Sequence, residues 1–312
     1  MSVQFLLGQG PDAAAEITPR GAPAWLPRPL LLAGRIAATV WAERKARIGL
    51  VVLAAAILAA VAAPVIAPYS PTYAGFGRSL PPSGAHLLGT TGSGQDAFSQ
   101  LLYGARVSLL VGFVAGALAT AVAVVVGLLA GYLPGLADEV LMFVTNLVLV
   151  IPNLVLMIVL AVYLAGGGVS MIVLVVVVTG WATGARVMRS QASTLRSRDF
   201  VALAQFGGER LHRIVFREVL PAMTSLVAAN FCAAATAAVL GEAGLEFLGL
   251  GDPTTVSWGT MLYWAQNSGA LLSGQWALIL APGLCIALLA GSLSLINFGV
   301  DALSNPRLRE KS

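Results

Sequence analysis

Two histidines, two cysteines and two lysines are the whole stock from which this 312-residue chain could build a metal centre, a thiol nucleophile or a lysine-bearing phosphate loop. His86 and His212 have no Cys, Asp or Glu at metal-ligand spacing. Cys232 and Cys285 both fall inside apolar runs, where they read as small buried hydrophobes rather than a disulfide framework. A nucleotide-binding loop needs Gly-x4-Gly-Lys-Ser/Thr, and Lys45 and Lys311 sit in no such setting. The chain is therefore expected to be no enzyme and to bind no metal or cofactor itself. Energy from ATP and Mg would have to reach it through partner subunits.

The polar side chains that stand out are those placed in apolar stretches: Asn146, Asn153, Asn230, Thr236, Glu242 and Glu246. A charged residue at mid-membrane costs roughly 2.5–3.5 kcal/mol on insertion scales. Such residues are candidates to line a pathway or to meet another subunit, and Glu242 and Glu246 are expected near an interface or a pore mouth rather than against lipid.

The elements that hold these residues follow from composition. The chain is 58% hydrophobic and 10% charged, against roughly a quarter charged for a soluble domain. Six uncharged windows approach the roughly 20 residues that a helix needs to cross the hydrocarbon core: 48–67, 107–131, 140–164, 169–185, 222–241 and 276–300. The fourth is the shortest and is expected to continue through Arg186, with its side chain snorkelling. Ile151-Pro152-Asn153 is expected to kink the third. Six spans place both termini on one side, and with the N-terminus inside, sixteen of the eighteen lysines and arginines are internal, leaving Arg78 and Arg106 outside. The positive-inside rule thus predicts an all-α integral membrane protein with cytoplasmic termini.

The N-terminal forty residues lack the basic-then-apolar order of a secretory signal and read as a cytoplasmic tail. The mixed basic and apolar stretch 30–47 suits either a helix on the membrane surface or a solvated one. The resulting division is a tail over 1–43, a transmembrane domain over 44–309 and a short tail over 310–312. Within the domain lie external loops at 68–105 and 247–275 and a cytoplasmic loop at 190–221. Gly112 with Gly116, and Gly127 with Gly131, carry a four-residue spacing that lets helix backbones approach closely. No internal repeat is visible.

The cytoplasmic loop is the most informative segment. Asp199 can cap a short helix, Gly207 and Gly208 can end it through a left-handed turn, and a second helix should run from near Glu209 to Pro221. Asp199, Phe200, Val201, Ala204, Gly207, Gly208, Arg213, Ile214, Phe216, Arg217, Leu220 and Pro221 together resemble the coupling loop of ABC importer permeases. The acidic triplet of that loop is degenerate here, reading Ala202-Leu203-Ala204.

Three further stretches resemble the C-subunit type of dipeptide and oligopeptide (peptide/nickel) permeases. The first comprises His86-Leu87-Leu88-Gly89-Thr90, Gly94-Gln95-Asp96 with Gln95 in place of an arginine, and residues 101–109. The second is residues 242–251 followed by Ser257-Trp258-Gly259, and the third is residues 297–303 with Asn305-Pro306-Arg307. The resemblance covers about residues 44–309. It implies a type I importer permease fold in a bacterial cytoplasmic membrane, and a second homologous permease beside it. It also implies two ABC ATPases below, an extracytoplasmic substrate-binding protein above, and di- or oligopeptide cargo. Nickel, antimicrobial peptides or glutathione are alternative cargoes of the same subunit pattern. A stand-alone ion-coupled carrier or channel is the rival class, and the lack of ionisable groups at mid-span speaks against it. A membrane scaffold without transport finds no positive support, and nothing points to nucleic acid.

Overall fold

Lipid offers the backbone no water, so a chain this apolar satisfies its N–H and C=O groups within helices. The computed structural model describes residues 41, 43–133, 135–164 and 166–304, and among them the only strand-like feature is an isolated bridge between Thr90 and Asp96. Residues 1–40 of the expected tail, and the C-terminal tail with Asn305-Pro306-Arg307, lie outside the described residues.

The described helices are α1 (Arg44–Ile66), α2 (Ala97–Tyr132), α3 (Leu136–Val150), α4 (Asn153–Tyr163), α5 (Gly168–Arg196) and α6 (Asp199–Phe206). There follow α7 (Leu211–Ile214), a π-helical turn over Val215–Val219, α8 (Leu220–Ala222), α9 (Thr224–Phe247), α10 (Trp258–Asn267) and α11 (Ala277–Ser304). Of these, α1, α2, α5, α9 and α11 are apolar and long enough to cross a membrane. The shortest, α1 with 23 residues, reaches about 35 Å against hydrocarbon about 30 Å thick.

The third predicted span is broken rather than kinked. The axes of α3 and α4 meet at 91°. Pro152 has no N–H and biases the residue before it towards extended backbone, and Ile151 and Pro152 have ψ of 129° and 123°. Two extended residues in succession redirect the chain instead of flexing it. Neither half spans alone, since 15 and 11 residues reach about 22 and 16 Å. Together they do cross the bundle. Asp138 at the start of α3 pairs with Arg189 near the C-terminal end of α5, whereas Ala161 and Val162 of α4 share a cavity with Gly249, Leu250 and Pro253 at the opposite end. Counting the pair once gives six crossings. The first and last described helices also meet at the Arg189 end, where Ala46 packs with Ile296 and Val300.

α2 is the central rod. Added methyl groups at Gly116 and Gly131 would stand 2.7 Å from Ala235 Cα and from Ala192 Cβ respectively, and one at Gly127 would stand 2.7 Å from the Ala185 carbonyl. The small residues of α2 therefore sit where α9 and α5 press closest, which settles the two glycine pairs as packing positions. The loops are shorter than predicted because helices run past the apolar windows: α2 starts at Ala97, α5 continues to Arg196, and the outer segment after α9 contains α10. Among the described lysines and arginines, only Arg78 and Arg106 lie at the end away from Arg189.

Candidate functional site

At the arginine-rich end, residues 197–223 fold into a compact protrusion. Asp199 is the first helical residue of α6, and Arg198, with extended backbone and no side-chain cap, occupies the capping position. The predicted aspartate cap is thus absent, although an acidic residue in the first turn still favours the helix dipole. The C-terminal stop follows the Schellman pattern: Gly208 N–H donates to Gln205 O at 3.0 Å and Glu209 N–H to Ala204 O at 3.1 Å. Only Gly208 is left-handed, with φ +74°, and Gly207 stays helical with φ −68°.

The second helix is shorter and less regular than expected. It starts at Leu211, widens to a π-turn over Val215–Val219, and passes Pro221 within α8 before the chain turns at Met223. Pro221 cannot donate to the helical ladder, and single π-turns recur where helices carry function.

Val201, Ile214 and Val219 are buried against Leu128 and Tyr132 of α2 and Met188 and Ala192 of α5. Leu203, Phe206 and Phe216 point the other way, 70%, 90% and 66% exposed. One face of the protrusion is thus fastened to two spans while the other offers bare apolar side chains. Phe200, Arg213, Arg217 and Pro221 are exposed with them, and Ala204 is half-buried.

A second cluster lies at the opposite end, and it is not a pore mouth. Glu242 and Glu246 are fully buried inside the chain, so neither faces lipid or lines an opening within it. Ser108 Oγ of α2 donates to Glu242 Oε1 at 3.2 Å, and Ser257 Oγ donates to Glu246 Oε2. Ser257 also caps α10 through a reciprocal box with Thr260. Trp258 N–H reaches Ser108 Oγ at 3.4 Å, and its indole N–H donates to Leu101 O at 3.0 Å. Gly259 permits the approach, since a methyl there would stand 2.8 Å from Glu246 Cβ. The two glutamates therefore tie α2, α9 and α10 into one joint. Ser108 and Ser257 were not foreseen as their partners. The spacing Ser257-x-x-Thr260, one helical turn, carried the only available signal.

The other polar candidates separate. Asn146 is exposed and accepts from Arg186 Nη2 at 2.8 Å, so this arginine is held by α3 rather than merely reaching for water. Asn153 is exposed at the start of α4. Asn230 Nδ2 donates to Thr120 Oγ1 at 3.2 Å, and Thr236 Oγ1 donates to its own helix at Cys232 O. The structure thus brings Asn146 near the arginine-rich end and leaves Asn230 and Thr236 between helices. His86 belongs to the outer loop. Its Nδ1 lies 2.8 Å from Asp96 Oδ1, and Asp96 caps α2 by accepting from Ser99 N–H. Gly89 and Gly94, both at φ +77°, turn the chain around that pair. In the neighbouring outer loop the hydroxyl and N–H of Thr254 donate to Asp252 and hold its carboxyl below the usual range. Among the described residues no group of His, Cys, Asp and Glu could hold a metal ion.

Comparison with known proteins adds a lineage to this geometry. Residues 123–310 match the family described as binding-protein-dependent transport system inner membrane component, and residues 42–82 match the N-terminal TM domain of oligopeptide transport permease C. A dipeptide transport system permease protein, DppC, of Bacillus subtilis is 32% identical over 86% of this chain and 83% of its own length. An oligopeptide transport system permease protein, OppC, of the same organism is 29% identical over 86% and 87%. A probable peptide ABC transporter permease protein, y4tQ, of Sinorhizobium fredii is 35% identical over 76% and 80%.

Proposed function

This chain belongs to the family of binding-protein-dependent transport system inner membrane components, and we propose that it is one of two permease subunits in an ATP-driven importer of di- and oligopeptides. It is a multi-pass protein of a bacterial inner membrane with the type I permease fold. In this reading a second, homologous permease lies beside it, two ATPases bind below with ATP and Mg, and a substrate-binding protein delivers peptide from above. The arginine-rich end faces the cytoplasm, in keeping with the positive-inside rule.

The observation that carries the reading is the fastened protrusion. Leu203, Phe206 and Phe216 stand bare at the arginine-rich end while Val201, Ile214 and Val219 lock the same loop to α2 and α5. A partner that grips the bare face and moves must drag those two spans. The chain's contribution is then mechanical: the protrusion receives the stroke, and α2 transmits it to the joint of Glu242, Glu246 and Ser257. Asn146 and Asn153, exposed on the broken crossing, are candidates to line the peptide's route.

Co-purification and vesicle uptake test this. The tagged chain should bring ATPases with it, and peptide uptake should require internal ATP and persist when ion gradients are collapsed. Gly208→Pro, which breaks the turn of the protrusion, should abolish uptake while the permease pair still assembles. Uptake that continues without ATP, or that ignores Gly208→Pro, overturns the proposal.

A further inference from the structure

Helix α1 has a defect that another helix repairs. Pro64 has no N–H, so Ala60 O loses its helical donor. Arg106 of α2 supplies the replacement, its Nε donating to Ala60 O at 2.6 Å and its Nη2 to Val61 O at 3.2 Å. Its guanidinium also stands 5.4 Å from the centre of the Tyr103 ring. These contacts fix the position of the cation but engage only part of a fork that carries five N–H donors. Arg106 is exposed, and the ion pairs of the described residues, Arg189–Asp138 and His86–Asp96, do not involve it.

The depth of this cation follows from helix geometry. Inward from Arg106, α2 carries no charge, and Gly127 backs onto Arg189 N, which a methyl there would meet at 3.0 Å. Twenty-one residues separate the two positions, about 31 Å of helix, which matches the hydrocarbon thickness of about 30 Å. Taking the Arg189–Asp138 pair as one headgroup boundary puts Arg106 near the other, within reach of lipid phosphates.

Below it lies an open groove between α1 and α2 of about 480 Å³, lined by Ile57, Val61, Leu110, Phe113 and Val114, with Arg106 at its rim. Val61 and Leu110 are 68% and 52% exposed. An apolar trough running inward from a partly uncommitted guanidinium has the chemistry of one lipid. We propose that this groove binds an anionic phospholipid, with its phosphate on Arg106 and an acyl chain along Ile57, Leu110 and Val114. A partner's helix in the same place would have to supply an acceptor for the cation at headgroup depth, where lipid phosphate is already abundant.

The test uses the purified complex equilibrated with mixed vesicles of phosphatidylglycerol and phosphatidylcholine in equal amounts, with retained lipid counted by native mass spectrometry. The wild type should retain phosphatidylglycerol about fivefold over phosphatidylcholine, the preference expected of one interfacial arginine. Arg106→Gln, which can still donate to Ala60 O, should bring the ratio to parity. Leu110→Trp, which fills the trough and leaves the cation, should lower retention of both lipids. Unchanged ratios in Arg106→Gln overturn the proposal. So does a cysteine at position 110 that cross-links to a second permease subunit rather than to a photoactivatable phosphatidylglycerol.

Discussion

At the scale of single residues, the chain's chemistry is that of hydrogen bonds kept out of water. Ser257 illustrates it. One hydroxyl accepts from Thr260 N–H at the start of α10 and donates to the buried Glu246, so its loss orphans two polar groups at once. Ser257→Ala should cost about 1–3 kcal/mol and lower the thermal unfolding midpoint of the purified complex, and Ser257→Thr should recover most of the loss. An unchanged midpoint in the alanine variant would remove the joint from the account. The sequence singled out Glu242 and Glu246 correctly as unusual but not what they touch. Serine is common, and Ser108 lies 134 positions away from Glu242, a separation that no local pattern encodes. The misplaced cap at Asp199 has a different cause, because a carboxylate suits both the capping position and the first turn, and only backbone geometry separates the two.

At the scale of elements, the spans were legible because lipid imposes length and neutrality on any helix that crosses it. Five of the six windows fall on helix almost throughout and the third falls on two helices with a break between them, and the loop that was predicted to carry two helices does so. The 91° break between α3 and α4 was not legible in size, since it is set by two ψ angles at Ile151 and Pro152 that the sequence only biases. Packing between helices can be tested by contrast within the molecule. At Gly116 a methyl meets the backbone of Ala235 at 2.7 Å, and at Gly244 it meets nothing within 4 Å. Gly116→Val should therefore destabilise the bundle by about 1–3 kcal/mol through overpacking and lower the yield of folded protein from membranes. Gly244→Val should leave yield and melting within error of the wild type. Equal effects at both positions would mean that the seam between α2 and α9 is looser than described.

At the scale of the whole molecule, charge and shape agree about which end is which. The protrusion shares its end with nearly all the described basic residues, and the outer loops with Asp96, Asp252 and the buried glutamates occupy the other. In a variant lacking Cys232 and Cys285, a cysteine at Ser273 should react with a membrane-impermeant maleimide on intact cells. A cysteine at Gln205 should react only in inverted vesicles. Reversed labelling would overturn the orientation and, with it, the route by which a cytoplasmic motor could reach the protrusion. The right-angled crossing has one more consequence, for the making of the protein. To the machinery that threads nascent chains into the bilayer, residues 140–164 are one uncharged stretch long enough to enter upright. The residues of α5 that hold its first half, Arg186 on Asn146 and Arg189 on Asp138, follow it in the chain. The contacts that fasten α3 to α5 can therefore form only after the following helix has been translated, so this crossing gains part of its anchorage from a segment made later than itself.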